Sequence, residues 1–140
     1  MTNETKQKVR EFYDEIGWQQ EHDGNYQNAR YEDLRPVSRE YIHETRLRVM
    51  NGLIPTGDLL LDAGSGPVQY EEYKVYSQGY QKRVCLDISI QALREARNRI
   101  GDHGLFVVGD LANLPFKAEA FDGAVSMHAI HHLALSEHPR

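Results

Sequence analysis

Leu59-Leu60-Leu61-Asp62-Ala63-Gly64-Ser65-Gly66-Pro67-Val68 is the stretch that decides the architecture. The three leucines form a short apolar run between turn residues, the pattern of a strand buried on both faces. The glycines behind it permit a sharp bend and let the backbone approach a ligand closely. A dinucleotide-binding turn would carry a third glycine where Gln69 stands. Asp62, at the strand end, would also repel a pyrophosphate. It suits instead a ligand with an ammonium and a sulfonium, whose carboxylate can use the N–H groups of the glycine turn. Taken alone, the loop also reads as a plain tight turn.

Working outward, Arg83-Val84-Cys85-Leu86-Asp87-Ile88 reads as a second strand, Leu105-Phe106-Val107-Val108 as a third and Gly123-Ala124-Val125-Ser126-Met127 as a fourth. Between the first two, a helical stretch near Tyr70–Gln78 ends at Gly79. Ser89 can cap a helix whose inner face carries Leu93, Ala96 and Ile100, closed by Gly101. Strands alternating with helices predict an α/β chain with a Rossmann-like, doubly wound, mostly parallel sheet and right-handed crossovers. These strands make only about the first half of such a sheet. The expectation is therefore an incomplete core over residues 53–140, completed by further chain or by a partner, including a second copy. Ahead of it, residues 1–52 are expected to form helical lid elements. One helix covers 3–16 with Val9, Phe12, Tyr13 and Ile16 inward. A polar, aromatic-studded loop runs from Trp18 to Tyr31. A second helix, about Val37 to Asn51, uses Tyr41, Ile42, Thr45, Val49 and Met50.

Three acids fall at successive strand ends. Asp87 lies about 20 residues past the glycine turn, where a nucleotide fold accepts bonds from ribose hydroxyls, with Ile88 placed to pack on the base. A helix cap is the other reading of Asp87. Asp110, in Gly109-Asp110-Leu111, can accept from an exocyclic adenine amine while a neighbouring N–H reaches a ring nitrogen; a turn is its other reading. Asp62, Asp87 and Asp110 would converge on the carboxyl edge of the sheet, where open α/β folds bind ligands.

With these residues in place, Leu59 to Gly66 resembles the first motif of class I S-adenosylmethionine (SAM) dependent methyltransferases. Asp87 looks like that family's ribose acid, and Gly109-Asp110-Leu111 like its adenine-binding element. Phe121-Asp122 through Met127-His128-Ala129-Ile130-His131-His132-Leu133 is similar to the fourth-strand motif of the small-molecule branch, which includes quinone-biosynthesis enzymes. The resemblance implies SAM as cofactor and methyl transfer to a small molecule. Gly64 and Gly66 would hold the methionine end, Asp62 its amino group, Asp87 with Ile88 the ribose and adenine face, and Asp110 with Leu111 the adenine edge. The family often has a further glycine where Val68 stands, and its later strands are missing here. The alternatives are a methyltransferase-like module that binds without chemistry, and a nucleotide-dependent oxidoreductase.

His128, His131 and His132 would share a face if helical. With no nearby Cys or carboxylate to complete a metal site, they read as pocket-lining residues, His128 being the candidate general base. No metal is expected. Tyr13 is placed to cover the sulfonium through a cation–π contact or to pack as core, in a region resembling the helical lid of small-molecule methyltransferases. The net charge of −5 argues against a nucleic-acid surface. The single cysteine, Cys85, reads as a small buried hydrophobe. A polar N-terminus without an apolar run leads to the expectation of a cytoplasmic protein with no membrane span.

Overall fold

The computed structural model describes residues 3–12, 14, 36–127 and 129. Helix α1 (Asn3–Phe12) and helix α2 (Pro36–Arg48, followed by a 3-10 turn at Val49–Gly52) precede a sheet of four strands. Strand β1 (Gly57–Ala63) leads through the glycine turn to helix α3 (Glu71–Val75), and strand β2 (Tyr80–Asp87) leads to helix α4 (Ile90–Ile100). Strands β3 (Gly104–Val108) and β4 (Gly123–Val125) follow. All pairings are parallel, in the order β3-β2-β1-β4. The order reverses between β1 and β4, which makes the carboxyl end of β1 the switch point where ligands bind in such sheets.

Parallel strands are buried on both faces, and the alternation of side chains sorts them. Because Leu60 pairs with Arg83 and Asp62 with Cys85, one face carries Leu60, Asp62, Arg83 and Cys85. Leu60, Cys85 and Val125 pack there with Tyr73 and Tyr76 from the α3 region, and with Leu93 and Ala96 of α4. On the opposite face Leu61, Ala63, Val84 and Leu86 meet Leu111, Phe116 and Phe121 from the segment between β3 and β4. Each fully buried leucine contributes roughly 1.5–3 kcal/mol of transfer free energy. α4 starts where Ser89 Oγ accepts from the Ala92 N–H at 3.1 Å and ends at Gly101, whose φ of 55° only glycine adopts readily.

The helices ahead of the sheet keep part of their predicted inner faces: Val9 and Ile42 are partly buried, and Val49 and Met50 pack against the core. α2 buries no residue, and Tyr41 and Thr45 are exposed. Its inward contact is made by Arg46, whose guanidinium lies 3.3 Å from the centre of the Tyr70 ring. Periodicity of apolar residues missed this because a planar cation over an aromatic face packs like an apolar group. α1 likewise buries nothing, and Phe12 is half exposed. No helix among the described residues is long and apolar enough to cross a membrane.

Candidate functional site at the carboxyl edge of the sheet

The glycine turn is built from positive φ angles: 74° at Gly64, 54° at Gly66 and 53° at Val68. Glycine takes these values freely, but a β-branched residue does not. Val68 is nonetheless fully buried in the core beside α3 and α4, so packing holds it in a strained conformation. The turn is also hung on the neighbouring strand. The N–H groups of Gly64 and Ser65 both donate to the Leu86 carbonyl, at 2.7 and 3.1 Å.

Asp87 closes this arrangement. Its Oδ2 accepts from the Gly66 N–H at 2.8 Å, and its Oδ1 accepts from the Ser89 N–H at 2.9 Å. One buried carboxylate thus fixes the turn after β1 and the turn after β2 together. Burial pushes its pKa above the usual carboxylate range, more than the N–H groups of Ser89, Gly66 and Ile88 pull it down. Both readings of Asp87 as a turn-former and as a ligand acceptor remain chemically compatible, since a carboxylate has about four lone-pair positions.

Asp62 is buried and paired with Arg83, a partner the sequence reading did not name. The Arg83 Nη2 and Nε both donate to Asp62 Oδ2, at 2.5 and 3.1 Å. Arg83 Nη1 donates to the Tyr73 carbonyl and, at 3.3 Å, to Ser77 Oγ. Burial raises the Asp62 pKa, and the Arg83 charge and hydrogen bonds offset part of that rise. A charge directly ahead of the apolar run Val84-Cys85-Leu86 was the available signal, because a guanidinium buried in the strand requires an anion on the same face.

Asp110 follows β3 on the same edge. Its Oδ1 accepts from the Ala112 N–H at 2.9 Å, and its Oδ2 from Asn113 Nδ2 at 3.2 Å and Lys6 Nζ at 2.6 Å. Burial pushes its pKa up, but the bonds from Lys6, Ala112 and Asn113 outweigh it and hold the carboxyl below the usual range. Lys6 could not be foreseen, since 104 positions separate it from Asp110. Across this edge lies a cavity of about 580 Å³, with Lys6, Gln7, Arg10 and Asp14 on one side and Ile88 and Asp110 on the other. That volume lies within the range of small-molecule sites.

The structure therefore brings Gly64, Gly66, Asp87, Ile88 and Asp110 to one edge, with Asp62 beneath the turn and Leu111 partly buried beside Asp110. Tyr13, His128, His131 and His132 lie outside the described residues. Asp122, quoted with the fourth-strand motif, sits at the other end of the sheet, where its Oδ2 accepts from the Asp58 N–H at 2.7 Å and the Leu59 N–H at 3.2 Å. At the switch point, Ser126 Oγ donates to the Ala63 carbonyl at 2.8 Å, and a side chain on Gly64 would meet Ala129 Cβ at 2.4 Å.

Residues 61–140 match the family model described as a methyltransferase domain. No curated protein sequence matches the chain. Among solved structures, it is similar to a chain of the complex between the Haloferax volcanii Trm112 methyltransferase activator and a candidate methyltransferase, at 26% identity and a TM-score of 0.53, covering 69% of this chain and 46% of that one. A Leishmania major SAM-dependent methyltransferase gives a TM-score of 0.63 at 13% identity, covering 95% and 52%. The N-methyltransferase NodS from Bradyrhizobium japonicum, solved with S-adenosylhomocysteine, gives 0.58 at 18% identity, covering 95% and 61%. The chain spans about half the length of these structures.

Proposed function

The chain belongs to the methyltransferase domain family, and on that premise we propose that it takes part in methyl transfer from SAM to a small-molecule acceptor. The observation that carries this reading is the carboxylate of Asp87, one residue before Ile88, which lines the cavity with Asp110; it is tied to the Gly66 N–H at 2.8 Å. The donor set fits the cofactor. There is an acid for ribose hydroxyls, an apolar side chain for the adenine face and an acid for its amine. The glycine turn, with positive φ at Gly64 and Gly66, offers backbone to the methionine end.

When bound, SAM supplies an electrophilic methyl group on a sulfonium. In this proposal Asp87 holds the ribose, Ile88 packs on the adenine, and Asp110 with the Leu111 backbone reads its edge. Gly64 and Gly66 present backbone to the methionine carboxylate, and Asp62 supplies negative charge near the amine while Arg83 steadies it. Alignment of acceptor and donor would do most of the catalytic work, as in any direct displacement. Tyr13 is proposed to cover the sulfonium and His128 to take the acceptor's proton. A soluble, cytoplasmic setting belongs to the same reading, as does completion of the sheet by further chain or a partner.

Calorimetric titration of this chain with S-adenosylhomocysteine and with NAD tests the reading. Saturable one-to-one binding of the former, undisturbed by millimolar NAD, is the expected result. Binding of NAD in its place would put the chain among nucleotide-dependent oxidoreductases.

A further inference from the structure

α1 buries no apolar residue, yet it lies along one side of the cavity at the carboxyl edge. Polar contacts hold it there at both ends. Near its start, Lys6 Nζ donates to Asp110 Oδ2 at 2.6 Å, with side chains only 14% and 27% exposed. Past its end, Asp14 Oδ1 accepts from Ser89 Oγ and from the Gln91 N–H, the latter at 3.2 Å, at the start of α4. The two anchor points flank Ile88, so the helix spans the place proposed for adenine.

The contact at Asp110 has a consequence for that proposal, on which it rests. Ala112 and Asn113 tie Asp110 to its own turn, while Lys6 reaches Oδ2 from α1 across the cavity that both residues line, so its ammonium stands where a ligand in the cavity would approach the carboxylate. An adenine amine is a neutral donor, whereas the Lys6 ammonium makes a charge-assisted bond, which is about twice as strong. We infer that Lys6 competes with the adenine amine for Asp110, so that docking of α1 and binding of the cofactor oppose one another. Lys6 thereby sets the affinity of the cofactor site without being one of its ligands. Asp14 keeps the other end of α1 attached to α4, so release of Lys6 swings the helix rather than freeing it.

The test is a titration of S-adenosylhomocysteine into wild-type chain and K6M, which keeps the length of the side chain and removes its charge. At low salt, K6M should bind about two- to fivefold more tightly, the range expected for a partly exposed ion pair in competition. The gap should close between about 0.02 and 0.5 M salt as the wild-type pair is screened. Amide hydrogen exchange gives a readout independent of turnover. The ligand should speed exchange in residues 3–12 of the wild type and leave K6M unchanged. Equal or weaker binding by K6M overturns the competition, and equal binding leaves the cofactor reading standing. Absence of binding by both proteins overturns the two together.

Discussion

The Gly66 N–H and the Asp87 carboxylate, 21 positions apart, meet at 2.8 Å and join the turns that follow two neighbouring strands. The pairing follows from register. Ala63 and Leu86 are partners in the parallel ladder, so the residues just beyond them leave the sheet side by side. A carboxylate at that position accepts the N–H groups of both turns, and it faces the edge where a ligand would lie.

Asp87→Ala removes the acceptor for two buried N–H groups at once. We expect a loss of about 2–4 kcal/mol in stability, by urea unfolding, and at least about a tenfold loss in S-adenosylhomocysteine affinity. Asp87→Asn keeps one acceptor oxygen and turns an NH2 donor toward the other N–H, so it should recover at most part of the stability and none of the affinity. An Asp87→Ala chain of unchanged stability would show that the 2.8 Å contact does not shape the turn.

Val68 provides a test of strain. At φ 53° a valine costs roughly 1–2 kcal/mol that glycine avoids, while its buried methyl groups contribute. The usual order at a buried site, in which glycine is worse than alanine, should therefore fail here. Val68→Gly is expected to unfold at a urea midpoint equal to or above that of Val68→Ala, both lying below wild type. A Val68→Gly chain clearly weaker than Val68→Ala would mean that the turn carries no strain.

Cys85 is fully buried, and burial together with the nearby Asp62 charge pushes its thiol up to about 12. The thiolate is the reactive form, so the folded chain should not react with a thiol reagent at pH 8. Labelling should follow global unfolding and accelerate with urea in step with loss of helical signal. Rapid labelling without denaturant would contradict the packing of β2.

The pH dependence of Asp110 has a definite sign. Its pKa is lowered in the folded chain, so it contributes stability above the unfolded carboxylate value of about 4 and loses it as the pH falls through the lowered value. The stability difference between wild type and Asp110→Asn should be constant from pH 5 to 7 and shrink below about 4. A difference that grows with acidification would reverse the assignment of Lys6 as its partner.

Much of this arrangement was legible in order along the chain. Leu59-Leu60-Leu61 marked the central strand because a strand covered on both faces must be apolar throughout, and the glycines marked the turn because other residues resist its φ angles. The strand-end acids could be placed on one edge because parallel strands all point the same way. What could not be read were contacts between distant segments. Lys6 and Asp110 meet only because α1 lies across the edge, and no local pattern encodes that. Arg83 left a trace, a charge at the start of the apolar run Val84-Cys85-Leu86, but its partner emerged only from the β1–β2 register. Of the predicted second helix, Val49 and Met50 reach the core as expected, but Tyr41 and Thr45 are exposed, and the stacking of Arg46 on Tyr70 left no apolar signal.

If the carboxyl edge holds the cofactor, adding S-adenosylhomocysteine should move the amide chemical shifts of the residues there. Shifts concentrated at Gly64, Gly66, Ile88 and Leu111, saturating together, are the predicted result. Shifts absent from these residues in a folded chain, or gathered at the opposite edge near Asp58 and Asp122, would contradict it.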